Sequence, residues 1–194
     1  MWLKNTYFFK IFINIIYSIQ YCLNFCWIMR IIIKKIHFIK SKNFKGVQRR
    51  FNKIFNFNNV DFYDDYAHHP TEIKEVLEGV KKVYKDYEKI CIFQPHRISR
   101  LKDLKNEFTY AFKDADIVIL CPIYSAGEKI KLGFKYEDFA KNIIKNSKVR
   151  LFIVENNIQL AKYLKQNMYG KKIVVGMGAG SISNWIKELP NLIK

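Results

Sequence analysis

From residue 57 onward, short apolar runs alternate with stretches whose apolar residues recur at helical spacing, and this alternation constrains the fold more than any other feature of the chain. Residues 60–63, 89–94, 116–121, 149–154 and 171–176 read as strands. One of them, Ile117-Val118-Ile119-Leu120, is apolar at every position, the pattern of a strand covered on both faces. Between the strands, residues 71–84 set Ile73, Val76, Leu77, Val80 and Val83 on one helical face, and residues 101–112 do the same with Leu101, Leu104, Phe108, Ala111 and Phe112. Pro70 suits the first turn of the helix it precedes. Residues 136–144, 156–166 and 181–189 read as further helices. Strand and helix in alternation, with short connections, predict an α/β fold: a mostly parallel sheet with helices on both faces.

Ligands of open parallel sheets bind beyond the C-terminal ends of the strands, so the residues just after each strand matter most. These are Asp64-Asp65-Tyr66-Ala67-His68-His69-Pro70, then Pro95-His96-Arg97-Ile98-Ser99-Arg100, then Tyr124-Ser125-Ala126-Gly127-Glu128, and last Gly176-Met177-Gly178-Ala179-Gly180-Ser181. Together they put three carboxylates, three histidines, two arginines, two tyrosines and a glycine-rich turn on one edge. Arg97 and Arg100, three apart at a helix entry, could converge on a single carboxylate or stand as two solvated surface arginines. His68 and His69 could orient a carboxylate or an amine, or could cap the helix that follows. Adjacent histidines point in different directions, and with no third ligand nearby no metal site is read there. Asp64-Asp65 could meet a ribose diol or Mg²⁺, or form a solvated turn. Gly178 and Gly180 could let the backbone approach an anionic ligand at the next helix, or could serve tight strand-to-helix packing. The last glycine of the dinucleotide pattern is absent, with Ser183 near its place, so no nicotinamide site is read.

The first 43 residues are different. They carry seven Lys and Arg, no Asp or Glu, and nineteen uncharged residues between Lys10 and Arg30. That stretch has the length of a bilayer span, but Asn14, Ser18, Gln20 and Asn24 interrupt it. Three readings stay open: a membrane anchor, a buried helical appendage, or out-of-frame translation of A/T-rich DNA. The net charge of +17 is read as compositional drift, because the abundant Ile, Lys, Asn, Phe and Tyr all have A/T-rich codons, and no nucleic-acid partner is expected. Four scattered cysteines form no disulfide framework; Cys91 and Cys121 read as ordinary buried thiols.

The strand-end segments carry a resemblance. Asp64-Asp65-Tyr66-Ala67-His68-His69-Pro70-Thr71-Glu72-Ile73 resembles the opening of the C-terminal domain of the Mur ligases. Phe93-Gln94-Pro95-His96-Arg97-Ile98-Ser99-Arg100 resembles the matching segment of the family's alanine-adding branch, and Tyr124–Glu128 and Gly178–Ile182 are similar to later motifs in the right order. Upstream, Phe44-Lys45-Gly46-Val47-Gln48-Arg49-Arg50-Phe51 is similar to the last stretch of the family's central ATPase domain. The resemblance implies a hydrophobic, basic, non-homologous segment over 1–43, a remnant of the central domain with a linker over 44–56, and a Rossmann-like C-terminal domain over 57–194. It implies an ATP- and Mg²⁺-dependent carboxylate–amine ligase of peptidoglycan precursor synthesis, adding L-alanine to UDP-N-acetylmuramate in the cytoplasm. It implies that Arg97 and Arg100 hold the alanine carboxylate, that Tyr66 and His68 line the pocket, and that Asp65 and Arg50 reach ATP. Asp64, His69, His96, Tyr124, Glu128, Gly178 and Gly180 are secondary candidates.

The departures from the family are as informative. No Gly-x-x-x-x-Gly-Lys-Ser/Thr phosphate loop occurs anywhere in the chain, and no UDP-sugar domain is read. The expectation is therefore that no catalytic set is complete here, that the missing central and N-terminal ligase domains would be needed as partners, and that the chain by itself is inactive. The competing expectation is a stand-alone amino-acid or nucleotide binding module, tethered to a membrane by 1–43.

Overall fold

The structure, a computed structural model, describes residues 49–128 and 135–193. The readings made for 1–43 and for 44–48 lie outside the described residues. The strands are β1 (Asn52–Phe57), β2 (Val60–Asp65), β3 (Glu88–Phe93), β4 (Ile117–Leu120), β5 (Arg150–Ile153) and β6 (Lys172–Met177). The helices are α1 (Pro70–Val83), α2 (Ile98–Asp103), α3 (Lys105–Tyr110), α4 (Tyr136–Ser147), α5 (Asn157–Asn167) and α6 (Ile182–Leu192). The strands form one sheet in the order β1-β2-β6-β3-β4-β5. Every neighbouring pair is parallel except β1 with β2.

Strand periodicity explains the two covered faces. On β3, Cys91 and Phe93 join a core formed with Ile73, Leu77 and Val80 of α1, Leu101 of α2, Phe108 of α3 and Phe139 and Ile143 of α4. The alternate residues Ile90 and Ile92 pack with Leu160 and Leu164 of α5 and Ile182, Ile186 and Leu189 of α6. The apolar run of β4 is buried at all four positions, as a strand between two helical layers requires. The α/β sheet with helices on both faces is therefore as the alternation predicts.

Two local differences from the sequence reading stand out. The sequence gives no strand before residue 60, yet Asn52–Phe57 pairs antiparallel with β2 as an edge strand. The turn between them is Asn58-Asn59, both with left-handed φ (52° and 63°), the two-residue hairpin geometry that Asn tolerates. The single helix read over 101–112 is two short ones. Leu104, at φ −110° and ψ 25°, breaks the path between them.

Candidate functional site

β2, β3, β4 and β6 run parallel, so their C-terminal ends meet on one edge, and main-chain bonds stitch the loops beyond them together. Gln94 N–H donates to Met177 O (3.0 Å), Cys121 N–H to Phe93 O (2.9 Å) and Gly178 N–H to Asp65 O (3.3 Å). The loop after β4 is laced to the loop after β3: Tyr124 N–H donates to Pro95 O (2.8 Å) and Arg97 N–H to Tyr124 O (2.9 Å). The strand ends thus bring all four predicted segments side by side, the glycine turn after β6 lying between the loops after β2 and β3.

Four rings line up along this edge. Tyr66 meets His68 edge-on at 5.1 Å between centroids, His68 meets His96 at 5.7 Å, and His96 stacks on Tyr124 at 5.5 Å. Arg100 donates from Nη1 to His96 Nδ1 (3.2 Å). A guanidinium can only donate, so His96 Nδ1 accepts and its ring proton sits on Nε2. Burial, and then the positive charge of Arg100, His68 and Arg97, hold His96 below its ordinary value, consistent with a neutral ring. His68 Nδ1 lies 3.0 Å from Tyr66 O, a pure acceptor, and 3.5 Å from Glu72 Oε2, so Nδ1 carries a proton. Arg97 stands exposed at the entry to α2, with φ 68° and its main chain pinned by Tyr124.

Most of the remaining predicted residues make contacts within the domain. His69 caps α1: its ring accepts from Thr71 N–H, and the Glu72 carboxylate accepts from His69 N–H (3.2 Å) and His68 N–H (3.0 Å). Glu128 fastens its loop to the start of α2, accepting from Ser99 N–H (3.0 Å) and Ser99 Oγ (2.6 Å), and these bonds hold its carboxyl below the usual range. Asp65 is enclosed at 2% exposure, and its two oxygens accept from Phe51 N–H and Ala67 N–H, both at 2.8 Å. Burial pushes its carboxyl up, against the pull of those donors and of Arg50. Arg50 itself is exposed. Asp64 is buried on the other face of β2, accepting from Ser183 Oγ (2.7 Å) and Arg49 Nε (3.3 Å).

The glycine turn follows the packing alternative. A Cβ on Gly180 would lie 2.5 Å from the Tyr124 ring and 2.6 Å from Gln94 Oε1. Gly178 has φ 147°, and a Cβ there would lie 2.8 Å from Gln94 O. The first N–H of α6 is not open to an anion either: Ile182 N–H donates to Gln94 Oε1 (2.9 Å), and Gln94 Nε2 donates to Ser181 Oγ (3.0 Å). Sequence reasoning assigned no role to Gln94, Ser99 or Arg49. Among the described residues no three His, Cys, Asp or Glu gather as a metal cluster, and no helix is long and apolar enough to cross a membrane. Cys91 and Cys121 are buried free thiols, with burial pushing Cys121 up to about 12.

Residues 49–180 match the family model described as the Mur ligase, glutamate ligase domain. A UDP-N-acetylmuramate–L-alanine ligase of Pelagibacter ubique is 72% identical over 152 residues, which cover 78% of this chain and 33% of that protein. The same-named enzyme of Rickettsia bellii is 40% identical over 152 residues, 76% of this chain and 32% of that one. The chain thus spans about a third of the length of the curated relatives it matches. Among solved structures, the UDP-N-acetylmuramate–alanine ligase of Thermotoga maritima superposes with a TM-score of 0.60 at 27% identity, over 77% of this chain and 30% of that one. A murein peptide ligase of Psychrobacter arcticus shares the fold, with a TM-score of 0.64 at 21% identity over 77% of this chain and 31% of that one.

Proposed function

The chain belongs to the Mur ligase family, its described residues matching that family's C-terminal domain, and from this premise we propose that the domain binds L-alanine and closes on ATP in a ligase joining L-alanine to UDP-N-acetylmuramate. The observation that carries the proposal is the gathering of Arg97, Arg100, His96, His68, Tyr66 and Tyr124 on one sheet edge, cation-rich on one side and acceptor-bearing on the other. A zwitterionic amino acid needs that polarity. Arg97 and Arg100 take the carboxylate by charge-assisted bonds. In its neutral form His68 accepts from the ammonium at Nε2.

ATP supplies the phosphoryl group that activates the acceptor carboxylate. Of the two residues expected to meet it, exposed Arg50 fits an anionic nucleotide directly. Asp65 is enclosed and supports Arg50 from beneath, by holding Phe51 N–H. No described residue is assigned to Mg²⁺. The proposed setting is the cytoplasm, where a peptidoglycan precursor and ATP would both be available.

Calorimetric titration of the full chain with L-alanine tests the reading. Arg97→Ala and Arg100→Ala should each weaken binding by about tenfold or more, the loss expected for a charge-assisted contact. Alaninamide, which lacks the carboxylate, should not bind. Equal affinity for L-alanine in wild type and both variants would refute the proposal.

A further inference from the structure

Arg49, to which the sequence reading gave no role, contacts several parts of the site. Its Nε meets Asp64 Oδ2 at 3.3 Å, its Nη2 donates to Gly178 O, and its guanidinium lies 4.9 Å from the centre of the Tyr66 ring. Its own carbonyl accepts from Tyr66 N–H at 2.7 Å. The backbone around it is unusual: Arg49 and Phe51 both have left-handed φ, 58° and 50°, on either side of Arg50. Such a path persists only where contacts over-determine it. Here the side chain of Arg49 and the Phe51–Asp65 bond supply them.

Asp64 makes the arrangement costly to release. It is 1% exposed, one oxygen is shared by Arg49 and Ser183, and the other has no hydrogen-bond partner among the described residues. Without Arg49 it would lose the one ion pair it makes among the described residues. One guanidinium therefore ties together the end of β2, the loop after β6 and a ring of the amino-acid pocket.

We infer that Arg49 is a positioning residue, locking the segment that carries Arg50 to the pocket wall formed by Tyr66 and His68. It touches no substrate in this role. The inference rests on the amino-acid site proposed above, and it predicts more than a loss of stability. Removing the guanidinium should displace the Tyr66 ring while the fold persists.

The test is NMR on the full chain, following the ring signals of Tyr66 and His68 in Arg49→Gln and Arg49→Lys. Leu164→Ala, a core truncation in α5, serves as a stability control. Both Arg49 variants should shift the Tyr66 and His68 signals, and the control should not. L-alanine affinity should fall about tenfold in Arg49→Gln, within the coupling range of contacting groups, and less in Arg49→Lys, which keeps the charge but loses the planar fork. If Arg49→Gln fails to fold, Arg49→Lys decides by the same signals. Unchanged Tyr66 and His68 signals in the folded variant would overturn the inference. If the wild-type chain binds no L-alanine, the amino-acid reading fails, while the ring signals still decide the role of Arg49.

Discussion

A histidine held neutral between two arginines is the most informative single residue of the edge. His96 faces Arg100 and Arg97 at the start of α2, His68 from the loop after β2, and Glu128 from the loop after β4. Burial comes first among the causes that lower it, followed by the neighbouring positive charges; Glu128 opposes them. A histidine lowered in the folded state binds its proton less readily there than in the unfolded chain. Its contribution to stability is complete above the unfolded value of 6.5 and is lost as pH falls through the lower folded value. Urea midpoints should therefore drop as the pH is taken below 6.5, and His96→Gln should flatten that part of the profile. Glu72 and Glu88 are also lowered, but from 4.5, so their losses come in a more acidic window and do not confuse the test. An identical slope in wild type and variant between 6.5 and the carboxylate range would exclude His96 as the titrating group.

At the scale of elements, α1 shows how one carboxylate serves both the fold and the site. Glu72 accepts from the main-chain N–H groups of His68 and His69, closing a capping box with His69 and fixing the turn that presents the His68 ring. Glu72→Ala should cost about 1 kcal/mol, the usual worth of such a cap, lowering Tm by roughly 3–5 °C for a domain of this size. A calorimetric scan with no measurable change would refute the assignment. The elements also mark how far the sequence could be read. The strands β3, β4 and β6 were legible because burial on both faces leaves them almost wholly apolar. β1 was not, because an edge strand with one neighbour tolerates polar Asn52, Lys53 and Asn56; the Asn58-Asn59 turn was its best signal. The break at Leu104 was hidden because Leu104 continues the apolar spacing of its neighbours. In the candidate site, residue types after the strands marked segments that the sheet brings together on one edge. Arg49 and Gln94 escaped because their partners, Gly178 and Ile182, lie 129 and 88 residues away in the chain.

At the scale of the whole molecule, the division of labour between binding and chemistry becomes testable. The sheet edge gathers Arg97, Arg100, His68, His96, Tyr66 and Tyr124, the set on which the proposed amino-acid site rests. Phosphoryl transfer needs a different set, a backbone cradle with a lysine for the phosphates and hydroxyl and carboxylate ligands for the metal. The chain contains no Gly-x-x-x-x-Gly-Lys-Ser/Thr pattern, and the glycine turn that is present spends its glycines on contacts with Gln94 and Tyr124. Its following helix spends its first N–H on Gln94 Oε1. Binding and turnover should therefore separate. The purified chain should titrate with L-alanine, yet release no phosphate above background when given ATP, Mg²⁺, L-alanine and UDP-N-acetylmuramate together. Phosphate release that depends on L-alanine would mean that this chain holds a triphosphate by means other than a phosphate loop. Arg50, the exposed cation nearest the Asp65 bond, would then be the first residue to replace.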